Sequence, residues 1–331
     1  MLRASCPICD GQAVPTVFEA REMMFGTTER FSYRQCESCG TLWLERIPED
    51  LGRFYPDQYY SLETNSSTLS AETSASISPV AVWLRSQALR AMLRMPASGV
   101  DRLADRRMRV RPTFVRWLIG TGVGHDARIA DVGSGRGDLL FQLYRYGFEN
   151  LWGFDPFLDD DLNAGPIQLR QRELTESDGP FDLVMFNHSL EHMRDPREVL
   201  AVARKVLKLD GVVLVRIPVA GTYAWRRYGT DWVGLDPPRH LVIPSRGGVQ
   251  KLAEHADLKV VRTFYDSYSL QFWGSEQYRR GIPLRSPQAV GGGSRGVFSR
   301  RALRAWRRQS RRLNQHADGD FGGFILRPAG R

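Results

Sequence analysis

The sequence predicts a doubly wound α/β fold over most of its length, a mostly parallel sheet with helices on both faces, behind a small cysteine-bearing module. Three observations carry this expectation. Segments of strand and helix character alternate from Arg128 to Ile217, one strand runs straight into the glycine-rich turn Gly133-Ser-Gly-Arg-Gly, and all four cysteines fall within residues 1–60 as two Cys-x-x-Cys pairs. Alternation of this kind places strands side by side in parallel, with each connecting helix covering a face.

Taken in order, residues 1–60 hold Cys6, Cys9, Cys36 and Cys39. Each pair forms a tight knuckle, and four thiolates close a tetrahedral zinc shell, which predicts a zinc ribbon. A closed shell has no position for water, so the metal is expected to be structural. Residues 61–111 are read as a linker with connecting helices. Ser61 to Ser78 is polar and aperiodic, whereas Val80, Leu84, Ala88, Leu89 and Met92 recur at helical spacing before Pro96.

The α/β domain is expected over residues 112–331. It begins with a helix from Pro112 to Ile119, followed by a strand at Arg128–Val132, a helix at Leu139–Tyr146 and a strand at Leu151–Phe154. A strand at Phe181–Phe186, a helix at Pro196–Leu207 and a strand at Gly211–Ile217 come next. Ser245 caps a helix running through His255, Leu258–Tyr265 is a strand, and the apolar run Phe321–Leu326 closes the sheet. The chain between those last two strands is too long for a loop, so a helical insertion is expected there, with Val297–Leu313 filling it. Insertions are placed at 219–244 and 267–318.

The glycine turn is the most informative segment. Gly133, Gly135 and Gly137 follow a short apolar strand and precede a helix, so a ligand can lie against bare backbone at the carboxyl edge of the sheet. The dinucleotide fingerprint Gly-x-Gly-x-x-Gly does not fit, because Asp138 stands where its third glycine belongs. Asp131, two residues before the turn, suits a ligand bearing an ammonium group better than a pyrophosphate. The methionine part of S-adenosylmethionine carries such a group. Asp155, at the end of the next strand, can accept both hydroxyls of a ribose.

With these motifs the chain resembles class I S-adenosylmethionine-dependent methyltransferases from about Ala127 to Pro328. Phe181-Asp-Leu-Val-Met-Phe-Asn-His-Ser-Leu-Glu-His-Met-Arg-Asp-Pro looks like that family's fourth strand and following turn, and Val206-Leu-Lys-Leu-Asp-Gly-Val-Val-Leu-Val like its fifth strand. The resemblance implies a seven-stranded Rossmann-like sheet. It also implies that Asp131, Gly133, Gly135 and Gly137 hold the methionine part, Asp155 the ribose, and Asn187 with His188 the surroundings of the sulfonium. For adenine it offers Glu173 or Asp178. The cysteine pairs, Phe54-Tyr-Pro-Asp-Gln-Tyr-Tyr and Leu235-Asp-Pro-Pro-Arg-His-Leu look like the zinc-ribbon methyltransferases of bacterial polysaccharide and secondary-metabolite clusters.

Methyl transfer requires alignment of donor and acceptor, and an acceptor hydroxyl must also lose its proton, for which histidine is suited. His188, His192 and His240 are the candidates. A divalent-metal role for Glu191 and His192 is a further option, and Tyr223, Trp225, Tyr228 and Trp232 are candidate walls of an acceptor pocket. The net charge of +9 is carried mostly by arginine and favours an anionic partner. The insertions add Arg226, Arg227, Arg239, Arg279, Arg280 and Arg285.

The leading expectation is therefore methylation of a small or carrier-linked anionic acceptor such as a sugar nucleotide or glycan intermediate. An RNA methyltransferase gripping phosphates through Arg300 to Arg312, and a non-catalytic binding module of the same fold, are the alternatives. No apolar run approaches the roughly 18 residues of a membrane span and the N-terminus lacks a signal-peptide core, so a cytosolic protein is expected.

Overall fold

The structure, a computed structural model, describes residues 5–14, 16–55, 78–93, 114–290 and 297–330. The expected linker at 61–77 and the stop at Pro96 lie outside these residues. Among the described residues the chain forms two compact units. The first joins Met1–Pro56, His188–Ala201 and Arg216–Phe324; the second joins Asp57–Asn187, Val202–Val215 and Ile325–Arg331.

The first unit contains a four-stranded sheet in the order β1 (Phe18–Arg21), β2 (Arg30–Gln35), β3 (Leu42–Leu44) and β10 (Val242–Ile243). All three pairings are antiparallel, with Tyr33 opposite both Phe18 and Leu44, and Val242 opposite Trp43. Tyr33 and Trp43 have no exposed surface, and the Tyr33 hydroxyl donates to the His240 carbonyl at 2.8 Å. The N-terminal module thus shares its sheet with a strand some two hundred residues away, which is why contacts do not separate residues 1–56 from the rest of this unit.

The second unit carries the heart of an eight-stranded sheet whose order is β11 (Leu258–Tyr265), β12 (Phe321–Pro328), β9 (Leu207–Pro218), β8 (Phe181–Asn187), β4 (Arg128–Val132), β5 (Asn150–Phe154), β7 (Ile167–Arg170) and β6 (Leu162–Ala164). β4 pairs in parallel with β5 and β8, and β5 with β7. The central strands read as unbroken apolar runs because both faces are covered. β4 and β8 are accordingly buried along most of their length. Strands β6 and β7 went unread in the sequence: each is three or four residues long, and the turn Ala164-Gly-Pro-Ile167 hides their hairpin. β7, parallel to β5, completes the expected seven strands, and β6 adds an eighth as an antiparallel edge.

Helices α1 (Pro79–Leu93), α2 (Phe114–Leu118) and α3 (Asp138–Tyr144) belong to the second unit. α3 buries Leu140, Phe141 and Leu143, the i, i+1, i+3 pattern of a helix laid on a sheet. α4 (Pro196–Lys205) precedes β9, and α5 (Tyr223–Tyr228), α6 (Arg246–His255), α7 (Leu270–Arg279) and α8 (Arg300–Gln315) lie in the first unit. Ser245 caps α6 as expected, accepting from the Gly248 N–H at 3.0 Å, and Ser299 caps α8 through Ala302 at 3.2 Å. α8 docks on α7 by a stacked pair, Phe272 and Trp306, tilted by only 4°. No helix among the described residues is long and apolar enough to cross a membrane.

Gly153 fixes how closely the glycine turn approaches β5. A Cβ there would stand 2.6 Å from Leu169 Cδ2, 2.6 Å from Ser134 Oγ and 3.0 Å from Leu140 Cδ1. Gly153→Ala is expected to cost about 1–3 kcal/mol through overpacking, read as a lowered urea midpoint; an unchanged midpoint would show that the turn yields freely.

Candidate active site

In the second unit, Asp131, Asp155 and Asn187 stand at or near the carboxyl ends of adjacent parallel strands β4, β5 and β8. The chain leaves β4 for β5 on one side and reaches β8 on the other, so this is the edge where open α/β sheets place ligands. Gly133, Gly135 and Gly137 take φ of 74°, 51° and 87°. These are left-handed values that a side chain disfavours. Gly133 N–H donates to the Phe154 carbonyl at 2.7 Å and Gly135 N–H to Asp155 Oδ2 at 2.8 Å, while Phe157 N–H holds Asp155 Oδ1 at 2.9 Å. The acid is thereby pinned beside the glycine turn, and each of its oxygens has a further lone pair.

Asp131 is 3% exposed, and its Oδ1 has no hydrogen-bond partner. Burial, and then the neighbouring Asp155, raise its pKa to about 7. A buried carboxyl oxygen without a donor is costly unless a ligand supplies one, and an ammonium group does so. The turn therefore fits the methionine amine and the ribose of the expected cofactor. Of the two adenine candidates, Asp178 is already engaged by Arg172 at 2.5 Å and by the Thr175 N–H at 2.8 Å, and Glu173 is exposed. Phe157, which the sequence reading passed over, is 75% exposed two residues after Asp155.

In the first unit, His188, His192 and His240 gather around Glu191, which has no exposed surface. His188 adopts φ 56°, a left-handed turn that costs a non-glycine residue of order 1 kcal/mol and directs the chain from β8 toward Glu191. Its Nε2 accepts from Arg216, a guanidinium held by Asp266 at 2.9 Å, and its Nδ1 lies 3.4 Å from Glu191 Oε1. His192 Nδ1 is 3.0 Å from the Arg239 carbonyl and 3.0 Å from the Tyr55 hydroxyl. His240 Nδ1 is 2.9 Å from the Gly234 carbonyl, and its Nε2 is 3.9 Å from Glu191 Oε1. A carbonyl can only accept, so both Nδ1 atoms carry a proton, and in the neutral form of either ring Nε2 presents a lone pair.

Burial, then the nearby His240, lower the pKa of His192 to about 4. Burial and Arg216 lower that of His188. For Glu191 burial acts upward, but the contact with His188 and the other imidazoles outweigh it, so the carboxyl group is ionised in the neutral range. The three histidines are thus brought together as the sequence suggested, although Arg216 occupies the only basic nitrogen of His188. Glu191 was read only as a metal option with His192, and Tyr55 and the Arg216–Asp266 pair were not read as parts of the site. Arg216 left one trace, a charge inside the apolar run Val212–Ile217.

Other expected parts are placed differently. Arg239 has no exposed surface, and its guanidinium donates to Asp236 at 2.6 and 3.0 Å, to Glu22 at 2.8 Å and to the Phe54 carbonyl at 3.1 Å, so it cannot meet an acceptor. Arg226 pairs with Asp318, and Arg227 and Arg279 approach Glu276. Trp225, Tyr228 and Trp232 are buried core, not pocket wall, with Trp232 donating to Asp320 at 3.1 Å. The four cysteines cluster: Cys6 and Cys39 sulfurs are 3.7 Å apart and Cys9 and Cys36 3.5 Å. These spacings exclude disulfides and match the edge of a tetrahedron with metal–sulfur bonds of about 2.3 Å.

A glycine turn after the first parallel strand, an acid ending the second, and a sheet order that reverses between β4 and β8 define the class I cofactor-binding architecture. Residues 89–263, more than half of the chain, match the family described as "Methyltransferase domain". The chain belongs to that family and is an S-adenosylmethionine-dependent methyltransferase. No curated protein matches it. Similar solved structures include a cyclopropane synthase, MmaA2, of Mycobacterium tuberculosis (16% identity, TM-score 0.41, covering 67% of this chain and 87% of that one). A methyltransferase of Archaeoglobus fulgidus described as dependent on S-adenosylmethionine is 16% identical, with TM-score 0.38 and 71% and 95% covered. The 1,6-didemethyltoxoflavin N1-methyltransferase of Burkholderia thailandensis, solved with S-adenosylhomocysteine, is 11% identical, with TM-score 0.38 and 91% and 96% covered.

The raised pKa of Asp131 gives opposite signs to two pH dependences. Without cofactor, the folded state holds the Asp131 proton longer than the unfolded chain, so this residue's stabilising contribution is present at low pH and is lost as pH rises from 3.8 toward about 7. With the cofactor ammonium on the Asp131 carboxylate, as the sequence leads one to expect, calorimetry should show affinity rising by up to about tenfold per pH unit as pH climbs to 7. Asp131→Asn should bind weakly and without this slope; a wild-type affinity flat with pH would remove Asp131 from the site.

Proposed function

We propose that this methyltransferase transfers a methyl group to a hydroxyl oxygen of a small or carrier-linked, phosphate-bearing acceptor, in the manner of a sugar nucleotide or glycan intermediate in the cytosol. The single observation behind the oxygen acceptor is the pair of imidazoles, His192 and His240, each held through Nδ1 by a backbone carbonyl beside an ionised, buried Glu191. Asp131 is assigned the methionine amine, the backbone of Gly133, Gly135 and Gly137 its carboxylate side, Asp155 the ribose hydroxyls, Phe157 a face of the adenine, and Asn187 the neighbourhood of the sulfonium. Bound there, S-adenosylmethionine supplies an electrophilic methyl carbon.

His192 Nε2 or His240 Nε2 takes the acceptor proton. Glu191 favours the imidazolium that results, and the carbonyls of Arg239 and Gly234 keep each ring in its tautomer. His188 is assigned a positioning role, since Arg216 engages its Nε2. The anionic character of the acceptor is supported by the arginines that keep an exposed face, above all Arg300, Arg301, Arg304, Arg307, Arg308, Arg311 and Arg312 on α8. Those same arginines favour the second reading, an RNA acceptor, because a helix studded with guanidinium groups also tracks a phosphate backbone.

Incubation with methyl-labelled S-adenosylmethionine, fractionated extract and matched acceptors with and without a diphosphate distinguishes the two. Label is expected in phosphate-bearing small or carrier-linked molecules, with turnover falling at high salt. His192→Asn or His240→Asn should lower turnover about 10²-fold or more while leaving cofactor affinity intact. Label in RNA would select the second reading, and equal rates on neutral and charged acceptors would remove the phosphate assignment.

We further propose that Cys6, Cys9, Cys36 and Cys39 hold one structural zinc ion. The sulfur spacings support it, as do N–H groups aimed at sulfur from Ile8 to Cys6 (3.5 Å) and from Cys39 to Cys36 (3.4 Å), an arrangement suited to thiolates. Metal analysis is expected to give one zinc per chain at this site. Removal by chelator should expose residues 5–55 to protease, because the binding free energy of such a site is folding free energy. Protein that is free of zinc and equally resistant would refute this.

A further inference from the structure

A buried carboxylate and two imidazoles converge in the first unit, where His188 Nδ1–H approaches Glu191 Oε1 only at a long 3.4 Å. Glu191 is fully buried, and neither of its oxygens completes a hydrogen bond. His192 and His240 each donate a hydrogen bond from Nδ1–H to a carbonyl, so Nε2 is the nitrogen that either neutral ring has available as a ligand. A Glu191 oxygen and one nitrogen from each ring lie within 4.8 Å of one another. The rings themselves stand 4.7 Å apart at 74° to each other, so they do not stack and their edges can face a common point. A buried carboxylate left in this state is costly, and only a cation satisfies three acceptors at once.

Charge points to the valence. Three carboxylates, Glu22, Asp236 and Glu191, are buried in this region against a single guanidinium, Arg239, which binds two of them. Arg216 and Asp266 pair with each other and cancel. The remaining charge is two negative, and protonating one imidazole would balance only half of it. A divalent ion balances all of it.

We infer that Glu191, His192 and His240 bind a divalent transition-metal cation as a two-histidine, one-carboxylate set. Such a set fills three positions of a coordination shell and leaves the others for water or an acceptor oxygen, and it suits manganese, iron, cobalt or zinc. The outer groups are in place: the Gly234 and Arg239 carbonyls and the Tyr55 hydroxyl orient the rings from behind, as partners of metal-bound imidazoles do. Ligand atoms around a common ion stand about 3–3.5 Å apart when bonds are near 2.1 Å, so the 3.9 Å between His240 Nε2 and Glu191 Oε1 closes with small side-chain movements.

Binding of the ion is independent of the acceptor; its role rests on the hydroxyl acceptor proposed above and, with the ion bound, replaces the imidazoles as the means of proton removal, because a nitrogen that ligates a cation cannot take a proton. A Lewis acid beside the acceptor hydroxyl lowers its pKa. The proton then leaves to solvent, the oxygen electron pair forms the new bond to the methyl carbon, and the pair of the breaking carbon–sulfur bond stays on sulfur.

The test uses the full chain with its cysteine site saturated with zinc, titrated with Mn²⁺ and followed by the loss of the free-ion electron paramagnetic resonance signal. One Mn²⁺ per chain is expected, with dissociation constants raised by about tenfold or more in Glu191→Gln and His240→Asn. Pulsed resonance on wild-type protein should show imidazole nitrogen coupled to the bound ion, a readout that needs no variant to fold. Absence of binding by Mn²⁺ and likewise by Co²⁺, or a bound ion without nitrogen coupling, overturns the site. S-adenosylmethionine affinity measured on the same samples separates the outcomes: retained cofactor binding without a metal removes the metal site alone, and the acceptor assignment stands or falls on the labelling experiment.

Discussion

Much of the first unit hangs on the buried guanidinium of Arg239. It binds Asp236 through two nitrogens, reaches Glu22 from one of them, and donates to the Phe54 carbonyl from the third. Glu22 in turn accepts from the N–H groups of Met24, Phe25, Gly26 and Thr27 at 2.9–3.0 Å, closing the turn that leads into β2. Three stretches far apart in sequence are therefore tied to one side chain. Breaking a buried pair of this type costs about 3–5 kcal/mol because the partners are left charged and dry. The same loop delivers His240, and the Arg239 carbonyl fixes the tautomer of His192, so the arginine sets the chemistry of the histidines without touching any substrate. It is a positioning residue.

The glycine turn, Asp131 and Asp155 were legible because their information is local. A strand that ends in alternate glycines, followed by a strand that ends in an acid, constrains ligand chemistry through a few consecutive residues. The cysteine pairs were legible for the same reason. Arg239 was misread as an acceptor ligand because its partner Glu22 lies 217 positions away and no periodicity links them. Trp225 and Trp232 were misread because an aromatic in a polar segment looks the same whether it lines a pocket or packs on Phe18. The hairpin of β6 and β7 was too short to show alternation. Glu191 was read as a metal option with His192 alone; that its buried oxygens complete no hydrogen bond and that His240 joins them is a property of three-dimensional packing, which a sequence does not contain.

Strain and burial coincide around the histidines. His188 and Asp236 both adopt left-handed backbone conformations without being glycine, at φ of 56° and 38°. Each is held by neighbours on both sides: His188 by its N–H to the Arg216 carbonyl at 2.8 Å, and Asp236 by Arg239. Local strain of about 1–3 kcal/mol persists only where surrounding contacts over-determine the backbone. Here those contacts are the ones that direct imidazoles toward Glu191. The concentration of unsatisfied acceptors, strained backbone and perturbed titration in one cluster sets it apart from the ordinary core around Trp43 and Tyr33.

The pairing of β3 with β10 also governs how this architecture can be recombined. Val242 and Ile243, the third partner of the N-terminal meander, come directly after the loop that carries Asp236, Arg239 and His240. A graft that replaced residues 1–55 with the corresponding piece of a related enzyme would replace Glu22, Tyr33 and Tyr55, and with them the outer contacts of two histidines. Acceptor preference in such chimeras should therefore travel with compatible pairs of segments, 1–55 together with 219–244, and a swap of either one alone would sever a working sheet. In evolutionary terms the two stretches form a single heritable part, divided in the gene and joined only by folding.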